Sequence, residues 1–567
     1  MSEPEPSPRG ALSPDERDQI CATVETLRGE LDDLVVRGLR AAGPDDLRTL
    51  DGMREELTRI GAAHLAERAG ALVDAIRADH GDAAVLLMRA QTSLRVFERV
   101  LTLDHVAGLL EAAASAGAEP ADQPAVEPGD DEAGDEPDEA PAKGKRRKVA
   151  ATKKTVAGKT ARKPAAKAAA AAPAVAAPRG PVATPRPPPP PLTLDEGKKL
   201  LPTLDDLTRA VDGLVATGLT TASEATRQKL DVTMKEALRL KLGRLGAALR
   251  FVNEEIGRFL GQDDSFSGRR LAFFLNRAWL VAHGLERAIR AGDAAALGRL
   301  LLQPPTVPVA RLEVAAVGAG KRIVTSTSSC AFEFRLRAIG DAPPVRADQR
   351  LVWSCLFSYG GTFPPEAFLH LPQPQKFLPR IFCERAPIVI EQAAIALDDA
   401  GGARLLLGPH SRVTTGTAEP PWAQWRTFDP AAAAARLRAH TPGPLDIEVE
   451  LQEEVVLDRW EVGEPAPRPG RADQLVYPVR SRGLDFDAVV PVGADGAQLR
   501  AALDELRAPK AKRPPLFGLV HYELCRLILQ PLAVLEDAGP RHLMIATDAE
   551  FDASTLADLT RALMTRR

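Results

Sequence analysis

The chain has few aromatic residues and few cysteines. Aromatic residues make up 4% of its 567 residues, and only three are tyrosines. Hydrophobic cores must therefore be built mainly from Leu, Val and Ala. The five cysteines lie far apart, and none forms a Cys-x-x-Cys pair, which excludes a zinc ribbon and a thioredoxin-like motif. An odd number of widely spaced thiols is typical of reduced cysteines in the cytosol.

Long apolar segments are missing as well. No run of about 18 apolar residues occurs, so no membrane span is expected. The first residues, MSEPEPSPRG, contain no apolar stretch of the kind found in a signal peptide. We therefore expect a soluble cytoplasmic protein. The net charge of −4 excludes a chain that is basic throughout, although its charges are strongly segregated.

Familiar catalytic signatures are incomplete or absent. Residues 317–322 resemble a phosphate-binding loop, but Ala315 stands where the first glycine belongs and Arg322 replaces the final Ser or Thr. This segment favours a β-hairpin turn. The run at 325–329 has five hydroxyl side chains but no Gly-x-Ser-x-Gly elbow, so it predicts a polar strand edge or hairpin. His521-Tyr522-Glu523 matches half of a zinc deaminase signature and lacks its Pro-Cys-x-x-Cys half. We expect no catalytic residue, no metal and no cofactor.

One helical pattern occurs twice, about 180 residues apart. Leu34-Val35 and Gly38-Leu39 reappear as Leu214-Val215 and Gly218-Leu219. Apolar residues at helical spacing predict an antiparallel bundle at 11–116 and a related bundle at 193–303, after a disordered N-terminus at 1–10. A catalytic centre rarely needs two diverged copies of a helical unit, whereas a protein that grips partners often does.

The segment at 117–192 has an unusual composition, first acidic, then basic, then rich in Ala and Pro. Segregated charge and low hydrophobicity predict a disordered linker. Its basic part, at about 143–179, resembles the tails of linker histones. That resemblance implies salt-sensitive contact with nucleic acid; the alternative is a solubilising tether. The candidate nucleic-acid-binding residues are Lys143, Lys145, Arg146, Arg147, Lys148, Lys153, Lys154, Lys159, Arg162, Lys163 and Lys167.

From residue 306 to the end, the apolar period changes from 3.6 to 2. This predicts a β-rich α+β region, either one domain or two that divide near 430–445. The predicted strands are 307–314, 331–338, 350–357, 387–397, 404–407 and 447–457, with further candidates at 474–479, 488–490, 517–522 and 525–535. Three helices are expected, at 431–440, 495–506 and 552–564. Pro531 suggests that the last strand is an edge strand or carries a bulge.

Two groups of aromatic residues in the β-rich region are candidate partner-binding sites. Long irregular segments on a β scaffold often carry binding surfaces. The alternative is that these rings cap the hydrophobic core, since aromatic side chains are usually buried. The candidates are Tyr359, Phe363, Phe368, Phe377, Trp422 and Trp425.

We therefore expect a multidomain scaffold or adaptor without catalytic activity of its own. Two helical modules and a β-rich domain would bridge protein partners. The tether would give each bundle a wide search volume, and its basic part would add attraction to nucleic acid. Two alternatives stay open: an enzyme whose active site lies unrecognised in 306–567, and an accessory subunit of a bacterial ATPase-linked or defence system.

Overall fold

The structure is a computed structural model. It describes residues 13–116 and 194–565, apart from short gaps at 265, 302–305, 325–328, 360–362, 398–402, 426–427, 447–450, 470 and 548–550. An N-terminal helical region, a second set of helices and a β-rich C-terminal region follow one another, as the sequence predicts. The linker with its lysine and arginine candidates lies outside the described residues, as do most of the hydroxyl-rich run and residues 360–362.

The first helical region contains four helices, α1 Pro14–Arg37, α2 Pro44–Arg59, α3 Ala63–Arg77 and α4 Ala83–Ala116. Helix α1 begins with a capping box in which the Ser13 hydroxyl accepts a hydrogen bond from the Glu16 amide, and the Glu16 carboxylate accepts one from the Ser13 amide. Apolar residues at helical spacing predict two separate helices here, at about 82–100 and 104–114, but the structure has one. No Gly or Pro interrupts the chain between them, so α4 continues for 34 residues.

The second helical region contains α5 Leu194–Lys198, α6 Leu201–Thr217, α7 Glu224–Arg239, α8 Gly243–Leu260, α9 Gly268–Ala291 and α10 Ala294–Leu301. Several helix ends recur at a constant offset. Helix α1 ends at Arg37 and α6 at Thr217, while α2 and α7 begin at Pro44 and Glu224. A short 3-10 helix follows α1 at Leu39–Ala41, and another follows α6 at Leu219–Thr221.

The two helical regions share one hydrophobic cluster. Val24 and Leu31 of the first region belong to the same buried cluster as Val211 and Leu249 of the second. The buried Asn276 side chain adds a polar contact, since its Nδ2 donates to the Met88 carbonyl at 2.8 Å. This packing differs from the expected pair of separately tethered bundles, because each region buries part of its apolar surface against the other.

The β-rich region begins with a closed barrel of five strands, β1 Thr306–Val324, β2 Ser329–Ala338, β3 Arg350–Ser358, β4 Ile388–Leu397 and β5 Ala403–Thr415, in the order β1-β2-β3-β5-β4. The hairpin turn predicted at 317–322 is wrong. These residues lie inside β1, where the pairing with β2 shifts between Ala316 and Gly318. A β-carbon on Gly318 would lie 2.5 Å from the Phe517 ring, so the bulge fits a close approach from the second sheet.

The second sheet contains β6 Glu453–Leu457, β7 Glu461–Val462, β8 Ala466–Arg468, β9 Arg471–Ser481, β10 Leu484–Pro491, β11 Leu516–Glu523, β12 Arg526–Glu536 and β13 Gly539–His542. Its main path is β6-β11-β12-β10-β9-β7, with β13 beside β12 and β8 beside β9. Pro531 lies in β12 beside a register shift, which confirms the predicted bulge. The helices of this region are α11 Pro430–Ala439, α12 Ala497–Arg507 and α13 Ala553–Thr565.

Helix α4 joins the helical and β-rich parts. Its first half contributes Leu87 and Leu94 to the helical cluster. Its second half contributes Val106 and Leu110 to a cluster that includes the barrel and the second sheet. One continuous helix therefore contributes side chains to both hydrophobic cores. Among the helices in the described ranges, none is long and apolar enough to cross a membrane.

Candidate ligand-binding cleft

A cleft of about 380 Å³ lies where the three parts of the chain meet. Its walls come from α1 and α4 of the first helical region, from α9 of the second, and from β9 and β11 of the second sheet. Binding sites for small molecules often form where separately folded parts of a protein meet, and their usual volume is roughly 300 to 1,000 Å³. The cleft therefore has the size and position of a small-molecule site.

Helical periodicity brings the polar side chains of the cleft together. Arg28 and Asp32 are separated by four residues on α1, so they occupy one face. Gln91, Arg95 and Glu98 on α4 are separated by four and then three residues, so they also share one face. The first turns of α9 add Arg269, Arg270, Phe273 and Asn276.

The helical wall of the cleft is held by a network of arginines and carboxylates. Arg28 lies between Glu98, to which it forms a short ion pair, and Glu25 at 2.9 Å. Glu25 also pairs with Arg269 and so links α1 to α9. On α8, the buried Glu255 carboxylate accepts from Arg270 Nε at 2.5 Å. These pairs fix the guanidinium groups in place, because arginine and carboxylate form charge-assisted hydrogen bonds.

Aromatic rings line one side of the cleft. The Arg95 guanidinium lies over the Phe273 ring, 4.4 Å from its centroid. Phe273 meets Phe274 edge-on with centroids 4.9 Å apart, and Phe274 stacks on Phe251 at 4.2 Å. Both rings that line the cleft are half-buried. Phe273 and Phe274 therefore form an apolar wall beside the arginine side chains of the cleft.

The Asp32 carboxyl group of the cleft has a strongly perturbed pKa. Burial raises its pKa from 3.8 to about 7, although Arg28 and Arg269 act in the opposite direction. Its Oδ1 accepts a hydrogen bond from Gln91 Nε2 at 3.0 Å. A carboxyl group with this pKa exchanges a proton near neutral pH, so Asp32 is able to donate or accept a hydrogen bond.

The β side of the cleft is formed by Arg471 at the start of β9 and by His521 and Glu523 at the end of β11. Glu523 pairs with Arg468 at 2.7 Å. Burial acts to raise the pKa of Glu523, but Arg468 and Arg269 outweigh it, so the pKa is lowered. Burial lowers the pKa of Arg471, and repulsion from Arg269 adds to this effect.

The six aromatic residues predicted to bind partners lie in or against the core of the β-rich region and not in the cleft lining. Phe368, Phe377 and Trp425 are buried in the core of the β-rich region. Tyr359, Phe363 and Trp422 are partly buried and pack against that core. This placement agrees with the alternative that the rings cover the hydrophobic core. None of the six lines the cleft.

Most residues of the cleft were missed by sequence reasoning. Arg28, Asp32 and Arg95 look like ordinary surface charges on amphipathic helices, and no motif marks them. The partial exception is His521-Tyr522-Glu523, which matches half of a zinc deaminase signature. His521 and Glu523 point to one side of β11 because residues two apart on a strand share a face, and both line the cleft.

No protein-family model matches the chain, and no curated protein is significantly similar to it in sequence. Within the described part of the chain, no three His, Cys, Asp or Glu side chains are grouped so that they could hold a metal ion.

Proposed function

We propose that this protein is a non-catalytic adaptor that bridges protein partners and responds to a small ligand in the cleft. One observation carries this proposal: the cleft takes its walls from both helical regions and from the second sheet. A ligand that contacts all three parts stabilises their present arrangement in proportion to its affinity. Ligand binding would thereby control the surface that the protein presents to partners.

The two helical regions are proposed to be diverged copies of one unit, each an antiparallel bundle. The recurring helix ends support this proposal, as do the two glycines that follow α1 and α6. Gly38 and Gly218 both have positive φ, +88° and +77°. Equivalent positions thus share an uncommon backbone conformation. Two copies that pack on each other make a rigid body with two related outer surfaces for partners.

The basic part of the linker is proposed to add contact with nucleic acid. Its eleven lysines and arginines at 143–167 would neutralise phosphates and release counterions, so this contact would weaken steeply with salt. Protein partners would be held by the folded parts, and nucleic acid by the linker.

Affinity capture with the whole protein tests the proposal. The protein and a deletion variant lacking 143–167 are used as bait, each with and without nuclease. We expect one set of proteins to resist nuclease and to bind both baits, and a nuclease-sensitive set to bind only the whole protein. A bait variant with every linker Lys and Arg at 143–167 replaced by Gln separates loss of charge from loss of length. Absence of any nuclease-resistant partner would contradict the adaptor.

A second candidate function is an enzyme, and Asp32 is the observation that favours it. A carboxyl group with a pKa of about 7 is suited to general acid–base catalysis at neutral pH. The cleft also draws on the N-terminal helices, so this active site would not be confined to 306–567. Conversion of a bound small molecule, seen as a mass change that Asp32→Asn abolishes, would favour the enzyme over the adaptor.

A further inference from the structure

Arg471 is the cleft arginine whose charge is least compensated. Arg28, Arg269 and Arg270 each pair with a carboxylate, and Arg95 lies over an aromatic ring and donates to the Asp446 carbonyl at 3.1 Å. Within the described ranges, no hydrogen bond or ion pair reaches the Arg471 guanidinium, and the carboxylates of Glu523 and Asp473 act on it only at longer range. A half-buried guanidinium without a partner is a ready site for an anion.

Gln91 supplies a second, independent observation. Its side chain is 5% exposed and lines the same cleft. Its Nε2 donates to Asp32, whereas its Oε1 has no partner in the described part of the chain. A buried amide oxygen without a hydrogen bond costs about 1 to 3 kcal/mol. A bound ligand with a hydroxyl or amide donor would remove that cost.

The shape of the cleft limits the size and character of the ligand. Phe273 and Phe274 form an apolar wall beside the guanidinium groups. The volume of about 380 Å³ accommodates a compact molecule such as a single substituted ring and is small for a folded peptide or a duplex. A ring stacked on phenylalanine and an oxyanion on arginine would use both walls together.

We propose that the cleft binds a small aromatic oxyanion, a carboxylate or a phosphate, whose charged group pairs with Arg471 and whose ring contacts Phe273. The planar guanidinium of Arg471 matches the two oxygens of either group. Gln91 Oε1 accepts a hydrogen bond from a hydroxyl on the ring. This inference rests on the proposed ligand-responsive role of the cleft and names the class of ligand.

Isothermal titration of the whole protein tests the inference. The probes are 4-hydroxybenzoate and phenyl phosphate, which separate the carboxylate from the phosphate, together with 4-hydroxybenzyl alcohol as a neutral match and inorganic phosphate as an anion without a ring. Salt at about 150 mM limits non-specific binding to the basic linker. We expect at least one aromatic anion to bind about tenfold or more tightly than both the neutral alcohol and inorganic phosphate.

Variants assign the binding to the cleft. Arg471→Gln should weaken the favoured anion about tenfold or more, and Arg471→Lys should weaken it less, because charge is kept while the bidentate fork is lost. The matched control is Arg480→Gln, which changes an exposed arginine of the same strand that pairs with Asp485 at the surface. It should leave affinity unchanged. Circular dichroism melting confirms that each variant is folded.

Three results would overturn the inference: no probe binds at about 1 mM, the neutral alcohol binds as tightly as the anions, or folded Arg471→Gln protein binds like the Arg480→Gln control. The adaptor proposal is tested independently of the ligand class. If no probe binds but nuclease-resistant partners are captured, the adaptor proposal is supported and the proposed ligand class is contradicted. If an aromatic anion binds through Arg471 and no partner is captured, the ligand class is supported and the adaptor proposal is contradicted.

Discussion

Gly38 and Gly218, the residues that follow α1 and α6, lie against each other backbone to backbone. A β-carbon on Gly38 would collide with the main chain of Thr217 and Gly218, and one on Gly218 would collide with the Arg37 carbonyl. Both glycines also have a positive φ, which side chains disfavour. The contact between the two helical regions therefore requires glycine on both sides.

Replacing either glycine should destabilise the helical part. We expect Gly38→Ala and Gly218→Ala each to cost about 1 to 3 kcal/mol, because strain at positive φ adds to a steric clash. Gly213→Ala in α6 is a matched control, since nothing lies within 4 Å of the β-carbon it would add, and alanine favours a helix interior. Urea unfolding followed by circular dichroism measures the midpoints. Equal midpoints for all three variants would show that the glycine contact does not form.

Asp32 should make stability depend on pH. Its pKa is raised by burial to about 7, so the folded protein holds a proton that the unfolded chain releases near pH 3.8. The stability due to protonated Asp32 is complete below about pH 4 and is lost as the pH rises towards about 7. Asp32→Asn should be more stable than the parent by roughly 2 to 4 kcal/mol at about pH 8, and nearly equal to it at about pH 4.

Thermal melts of the parent and Asp32→Asn proteins at both pH values measure this difference. Arg28, Arg269 and Glu25, whose charges act on Asp32, are present in both proteins, and so is His521 across the cleft. The contribution of these shared groups to stability therefore largely cancels in the comparison. If the Asp32→Asn variant is less stable than the parent at the higher pH, ionised Asp32 does not destabilise the folded protein and the prediction is wrong.

Lys321, the lysine of the phosphate-loop-like segment, has a structural role in the barrel. Its Nζ lies 2.7 Å from Glu366 Oε1, and both side chains are buried. Lys321→Met should cost about 3 to 5 kcal/mol, because it leaves Glu366 buried without a partner. The double variant Lys321→Met/Glu366→Leu should recover much of this loss.

The exposed pair Lys235–Asp231, with the same 2.7 Å separation, provides the control for Lys321. Lys235→Met should change stability by less than about 0.5 kcal/mol, as is usual for a surface ion pair. Differential scanning calorimetry resolves these effects. A Lys321→Met protein as stable as the Lys235→Met control would mean that the buried ion pair is absent.

Cys21 should be the most reactive thiol among the five cysteines. Interaction with the Cys525 thiol, in the β11–β12 turn, lowers the pKa of the Cys21 thiol and raises that of Cys525. Burial raises the pKa of the Cys330 and Cys383 thiols to about 12. Since the thiolate is the nucleophile, brief treatment of the native protein with iodoacetamide should label Cys21 first.

Mass spectrometry of the alkylated peptides identifies the labelled position. Cys525→Ala should slow labelling of Cys21, because the interaction that lowers the pKa of the Cys21 thiol is lost. The unrelated variant Cys383→Ala should leave the rate unchanged. Faster labelling of Cys330 than of Cys21 would refute the assignment.

Local sequence signals predicted most elements but not their assembly. Ser13-Pro14-Asp15-Glu16 predicts the start of the first helix, and α1 begins at Pro14, because capping and proline act within a few residues. Gly43-Pro44 predicts a break after that helix, and α1 ends before it, at Arg37. The bulge at Gly318 has no local sequence signal, because the ring that lies close to it, Phe517, belongs to a strand far along the chain. The cleft could not be predicted because Asp32 and Arg471 come to line one cavity only after the helical regions pack on the second sheet.

The central claim is that both helical regions and the β-rich region form one body around the cleft. A site-specific protease sequence placed between residues 117 and 193 allows the chain to be cut after folding, and gel filtration with native mass spectrometry then shows whether the fragments separate. The account predicts a 1:1 complex that elutes like the uncut protein, because the helical cluster contains residues from both sides of the cut. Two separately folded fragments that part without denaturant would contradict it.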